Sequence, residues 1–180
     1  MKILFVGPQG AGKSTQGKVL ADFLKVPYIS TGDIFRELST QDNELANRVK
    51  SIMSAGNLVD DQTTSEIVKE RLQKPDLKNG FIFDGYPRTL KQVEYFDPGF
   101  DKVVYLKVDD SESKRRLLER GREDDTDELI EQRLKVYHQL TDPILDYYQS
   151  QGNLITIDAT QNIDEISLKL KEILNGEDKD

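Results

Sequence analysis

Gly7-Pro8-Gln9-Gly10-Ala11-Gly12-Lys13-Ser14 decides the fold of this chain, because it fits the pattern G-x-x-x-x-G-K-[ST] between a strand and a helix. The apolar run Lys2–Val6 before it reads as a buried strand, and the pattern Lys13–Leu24 after it reads as a helix. The glycines let the backbone turn its N–H groups inward around phosphate oxygens. Lys13 adds a full positive charge, and the first turn of the helix adds its dipole. Ser14 or Thr15 offers a hydroxyl to a phosphate oxygen or to a magnesium-bound water. By itself such a loop does not choose among motor ATPases, GTPases and kinases. The Asn-Lys-x-Asp base signal of GTPases is missing from the chain.

Working outward, four more segments read as buried strands: Tyr28–Ser30, Gly80–Asp84, Lys102–Val108 and Asn153–Ile157. Helical patterns fall between them at Gly32–Leu38, Glu44–Ala55, Gln62–Gln73, Leu90–Phe96, Ser111–Glu119 and Thr126–Gln149, with a last one at Ile163–Leu174. This alternation predicts an α/β fold, a five-stranded parallel sheet covered by helices on both faces. From Thr31 to Gln73 there are three helical segments and no convincing strand, so an excursion leaves the sheet there. Gly121–Asp125 is a short charged connection between two helices, and the charged tail Gly176–Asp180 is expected to fray.

The length, 180 residues, suits one domain with one sizeable core. Cysteine is absent, which excludes disulfides, thiolate zinc sites and a cysteine nucleophile. The single histidine, His138, leaves little room for a histidine metal site or a Ser-His-Asp triad and reads as an ordinary polar helix residue. No apolar run approaches the ~20 residues of a membrane span, and the first strand is too short for a signal peptide. A cytoplasmic protein is expected. The net charge of −8 repels nucleic acid and anionic lipid over most of the surface, so neither is an expected partner. A phosphate site on such a molecule must be a local concentration of cations.

Phe81-Ile82-Phe83-Asp84 is an apolar strand ending in a carboxylate. In phosphate-loop proteins that position holds magnesium, directly or through water; the plainer reading is a helix-capping aspartate. Gly85-Tyr86-Pro87-Arg88 follows and puts an arginine beside the strand ends, where open α/β sheets bind ligands. Arg115, Arg116, Arg120 and Arg122 lie within eight residues, and Arg133 sits on the next helix. Positions 116 and 120 share a helix face. Guanidinium groups bind phosphate oxygens bidentately and stay charged. The bland alternative is a solvated basic face paired with Glu119, Asp124 and Asp125, and for Arg115 it is the preferred one. Asp124 and Asp125 either hold the arginines in position or cap the following helix.

Taken in order, Gly7–Gln16, Ser30-Thr31-Gly32-Asp33, Asp84-Gly85-Tyr86-Pro87-Arg88-Thr89 and Gly121-Arg122-Glu123-Asp124-Asp125 resemble the successive signatures of adenylate kinases. The last looks like the family's short-lid form, without the longer lid that sometimes bears zinc. The resemblance implies a helical AMP-binding excursion at about 30–59 and a short lid at about 119–127. It implies that Gly10, Ala11, Gly12, Lys13, Ser14 and Thr15 hold the ATP phosphates, with Arg116 flat against the ATP base and Gln161 near it. On the AMP side it implies Thr31, Met53 and Val59 around the adenine, Asn57 and Leu58 as further AMP-binding residues, and Arg36 at the phosphate. Gly85, Tyr86, Pro87 and Arg88 continue that site, and Gln92 reads the adenine edge. Arg120 and Arg122 close from the lid and Arg133 joins across the transferred group, while Asp84 meets magnesium through water. The expected ligands are ATP, AMP and Mg2+, with no zinc, on a monomer.

Some positions depart from the commonest family pattern. Gln9 stands for a usual proline, Ser14 for a usual glycine, Asn57 for a frequent basic residue, and Gln161 for lysine or glycine. None removes an expected cation. The nearest rival reading is a UMP/CMP kinase, against which Thr31, Met53 and Gln92 favour AMP. A nucleotide-binding module without turnover is the rival from another class, disfavoured by the retained cations and Asp84. A phosphate-loop motor is further off still, since the chain leaves no room for an additional domain.

In this reaction the nucleophile is already a phosphate oxyanion, so no general base is required, and catalysis rests on positioning and fixed charge. Replacing any one of the six cations Lys13, Arg36, Arg88, Arg120, Arg122 and Arg133 is expected to lower the transfer rate. The loss should be about 10²–10³-fold. Steady-state kinetics of single substitutions checks it.

Overall fold

The computed structural model describes residues 1–55, 57–123 and 125–175. Its first strand, β1 (Lys2–Val6), is buried from Ile3 to Val6 on both faces, as a central strand of a parallel sheet must be. The other strands are β2 (Tyr28–Ser30), β3 (Phe81–Asp84), β4 (Lys102–Lys107) and β5 (Leu154–Asp158). All pairs are parallel, in the order β2-β3-β1-β4-β5. The five expected strands are present, with ends displaced by a residue at most.

Alternation along the strands builds two cores. Ile3, Phe5, Ile82, Val104 and Ile157 pack with Leu20 and Ala21 of α1 (Lys13–Leu24) and with Ile166 and Leu170 of α9 (Ile163–Asn175). On the opposite face Leu4, Val6, Phe83 and Val103 meet Val68 of α4 (Asp61–Leu72) and Ile144 and Tyr148 of α8 (Pro143–Ser150). Burying each such side chain stabilises by roughly 1.5–3 kcal/mol.

The excursion is helical, as expected: α2 (Thr31–Leu38), α3 (Glu44–Ser54) and then α4. Asn43 Oδ1 accepts from Ala46 N at 2.8 Å and Asp60 Oδ1 from Thr63 N at 2.9 Å, capping α3 and α4. Phe35, Val49 and Val59 form a separate small core there. A single 3₁₀ turn, Pro75–Leu77, which the sequence pattern does not announce, leads into β3. The remaining helices are α5 (Leu90–Tyr95), α6 (Asp110–Arg120) and α7 (Asp127–Val136).

One expectation is corrected. Thr126–Gln149 reads as one helix, yet the structure breaks it into α7, a widened π turn at Tyr137–Thr141, and α8. Pro143 is the cause: it lacks an N–H, and its ring would strike the carbonyl four residues back. The backbone instead closes a wider turn, with Asp142 N donating to Tyr137 O at 3.2 Å. The tail Gly176–Asp180 and Asp124 lie outside the described residues.

Two side chains near these elements carry testable energetics. Tyr86 has no exposed surface, and its Oη lies 2.9 Å from Gln92 O, 2.6 Å from Phe96 O and 3.1 Å from Ser65 Oγ. Tyr86→Phe removes the single O–H proton these oxygens share and is expected to cost about 1–3 kcal/mol, read by urea unfolding. His138, in the π turn, places Nδ1 2.7 Å from Asp142 Oδ2 and Nε2 2.9 Å from Asp110 Oδ1. Hydrogen bonds to Asp142, then Asp110, hold its imidazolium above the ordinary histidine value. The bridge therefore stabilises fully below about pH 6.5 and is lost as pH rises through the raised folded value. Melting temperatures across that range should fall more in the parent chain than in His138→Gln.

Candidate active site

Parallel register sets the floor of the site. Ser30, Asp84, Phe5 and Val104 stand in one row across four strands; β2 and β3 end in that row and β1 one residue later, so the loop after β1 rises from the middle of the sheet. In that loop Gly10 has φ +85°, and a Cβ there would stand 2.6 Å from Ser113 O of α6. Only glycine allows that close approach with that backbone. Gln16 N donates to Gly12 O at 3.0 Å and starts α1, whose first N–H groups face the loop.

Above the row lies a cleft of about 980 Å³. Its central wall is the loop itself, Gly10 to Thr15. On the β2–β3 side it is lined by Thr31, Arg36, Met53, Asn57, Leu58 and Val59, together with Gly85, Arg88 and Gln92. From the other side come Arg116, Arg120, Arg122, Arg133 and Gln161. The chain thus brings into one cavity nearly every residue that the motifs singled out. Tyr86 and Pro87 are the exceptions. The Tyr86 side chain is enclosed in the core, because its hydroxyl finds backbone acceptors there, and Pro87 borders a separate cavity of about 40 Å³ behind the loop.

The cations rest on oxygens of the protein. Lys13 Nζ donates to Gly7 O and Pro8 O, each at 2.7 Å, bent back over its own loop. Burial holds it below the ordinary lysine value, with Asp84 opposing. Arg88 is likewise half-buried and depressed, first by desolvation; its Nε donates to Gly85 O at 3.0 Å and its N–H to Gln92 Oε1 at 2.7 Å. Arg120 forks onto Asp125 at 2.8 and 2.6 Å. Arg133 NH1 lies 3.6 Å from the same carboxylate, and Arg122 N donates to it at 3.2 Å. The Asp125 carboxylate is fully enclosed, and the Arg120 hydrogen bonds hold it below the usual carboxylate range. Arg36 is paired with Asp33 and half exposed. Arg116 contacts Glu112 Oε1 at 2.6 Å and Ala159 O at 2.8 Å. Arg115 pairs with Glu112 and Glu119 on the outer face of α6, the solvated role expected of it.

Asp84 closes the floor. It accepts from Tyr28 Oη at 2.9 Å through Oδ2, and its backbone carbonyl accepts from Thr31 Oγ1 at 3.3 Å. Among the described residues no three acidic or histidine side chains group together as a protein-only metal cage. One carboxylate, with the Ser14 and Thr15 hydroxyls lining the same cleft, instead suits magnesium, which takes few protein ligands and completes its shell with phosphates and water. His138 lies outside the cleft lining, so no histidine base is at hand. The arrangement can hold anions and stabilise developing charge.

Sequence reasoning missed Tyr28, Lys18, Phe35 and the segment Asn162–Ile166, all of which line the cleft. Tyr28 had one available signal. It precedes Ser30 by two residues on the strand beside β3, and that spacing puts it on the same sheet face.

A family model described as adenylate kinase matches residues 5–153. The adenylate kinase of Trichodesmium erythraeum is 42% identical over 184 residues, covering 96% of each chain. Adenylate kinase 1 of a Nostoc species is 40% identical, over 97% of this chain and 99% of its own. For the adenylate kinase of a Mycobacterium species the figures are 42%, 97% and 99%. Similarity of this extent spans every element that builds the cleft, from the phosphate loop to the arginines of α6 and α7, and the chain belongs to the adenylate kinase family.

Proposed function

We propose that the cleft takes ATP and AMP end to end and passes the terminal phosphoryl group between them, reversibly giving ADP on both sides. Family membership makes the chain a nucleoside monophosphate kinase. The observation that carries the finer reading is the convergence of Lys13, Arg88, Arg120, Arg122 and Arg133 on one cavity, between two arms with separate walls. The β2–β3 arm, with Met53, Val59 and the Gln92 amide, takes the AMP base; the other, with Arg116 and Gln161, takes the ATP base. Phosphates then meet over the loop.

Lys13 leaves the carbonyls of Gly7 and Pro8 for the ATP phosphates. Arg120 and Arg133 share Asp125 until a phosphoryl group competes for them. Arg88, already aligned by Gly85 and Gln92, faces the AMP phosphate, and Arg36 exchanges Asp33 for it. Magnesium, when bound, neutralises phosphate charge and orients the oxygens for in-line transfer, with Asp84 and the Ser14 or Thr15 hydroxyl as its protein-side partners. Residues of about 30–59 act as the acceptor-binding arm and those of about 119–127 as the lid. Their closure excludes water, the competing acceptor. A monomer in the cytoplasm fits the net charge of −8 and the lack, among the described residues, of a helix long and apolar enough to cross a membrane.

A coupled assay over AMP, UMP, CMP and GMP, with and without magnesium, tests the reading. AMP should be the preferred acceptor, magnesium should be required, and ATP without acceptor should release phosphate very slowly. Equal turnover of UMP or CMP would overturn the AMP assignment. Rapid phosphate release from ATP alone would overturn coupled closure.

A further inference from the structure

At the floor of the cleft, Tyr28, Asp84, Gly17 and Lys18 form an arrangement of which the transfer chemistry above uses only Asp84. Tyr28 pairs in register with Ile82, and Ser30 with Asp84. The Tyr28 side chain therefore runs along the sheet, on the face covered by α1, to bring Oη within 2.9 Å of Asp84 Oδ2. From above, the ring is fixed by α1. A Cβ on Gly17 would fall 2.5 Å from Cε2 and 2.9 Å from Cδ2 of the ring, so no side chain fits at position 17. Glycine inside a helix costs about 0.5–1 kcal/mol relative to alanine, and the ring accounts for its presence here. Lys18 Nζ lies 5.9 Å from the ring centroid, within cation–π range. Both Tyr28 and Asp84 line the cleft.

We infer that Tyr28 is a positioning residue: its hydroxyl fixes the Asp84 carboxylate in the orientation that receives a divalent cation carried in with the donor nucleotide. The inference rests on the reading of Asp84 as the metal-side carboxylate. Its physical basis is competition. Asp84 interacts electrostatically with Lys13 and Arg88, two half-buried cations lining the same cleft. A carboxylate free to rotate would be drawn toward these charges and away from the metal. A neutral donor holds one oxygen without cancelling the charge, as outer-shell partners do for ligands of bound metals.

The test measures ATP affinity by calorimetry with and without Mn2+ as the probe metal, below the melting transition of every variant. Tyr28→Phe keeps the ring and removes the hydroxyl. It should leave metal-free ATP affinity unchanged and reduce the Mn2+-dependent gain several-fold. In an Asp84→Asn background the same change should have no further effect. If Asp84→Asn loses the gain while Tyr28→Phe retains it, the role given to Tyr28 is overturned and the reading of Asp84 stands. Retention of the gain in Asp84→Asn overturns the reading of Asp84 itself. Equal weakening of metal-free and Mn2+-bound ATP in Tyr28→Phe would make Tyr28 a packing residue only, and also overturns the inference.

Discussion

Gathering like charges in a partly enclosed cavity is costly, and the whole architecture is arranged around meeting that cost. An acidic chain of net charge −8 brings Lys13, Arg88, Arg120, Arg122 and Arg133 to one cleft, where burial, and then neighbouring cations, disfavour the charged forms of Lys13 and Arg88. It stabilises them with its own oxygens. Lys13 uses loop carbonyls, Arg88 the Gly85 carbonyl, and Arg120 and Arg133 the enclosed Asp125. On the proposed reading, each of these oxygens stands in for a phosphate. Substrate binding then becomes an exchange of one acceptor for another, with the cations already positioned, and such preorganisation is where most electrostatic catalysis resides.

The parallel sheet makes that exchange geometrically possible. With β1 in the centre and its loop at the strand ends, chain following β2 and β3 falls on one side of the phosphates and chain following β4 and β5 on the other. A symmetric demand, two nucleotides meeting at their phosphates, is met by a strand order that places one arm at each edge. The same register sets Asp84 level with Phe5, two residues below Gly7, so the acidic partner lies directly under the loop.

Much of this could be read in advance, and the failures have physical causes. Strands bounded by turn residues, the excursion without strands and the glycine-rich loop are local patterns, and the structure keeps them. The single helix expected from Thr126 to Gln149 fails at Pro143, whose effect on the backbone reaches several residues upstream. Tyr86 sits in a motif of site residues but turns into the core, because three oxygens from α4, α5 and the α5 end converge on its hydroxyl. Tyr28 reads only as the start of a short strand, since its partner lies 56 residues away in sequence.

The sequence by itself determined the local chemistry: a loop shaped for phosphate, an inventory of guanidinium groups at helix-compatible spacings, and the absence of cysteine beside a single histidine. Those properties follow from side-chain type and from neighbours a few positions apart. Which oxygen each cation rests on, which motif tyrosine faces the core and which unremarked one reaches Asp84 were decided only by the tertiary structure. Such contacts depend on how strands and helices distant in the chain are brought level. Hydrogen bonds reach only about 3 Å, so register and packing settle what periodicity leaves open.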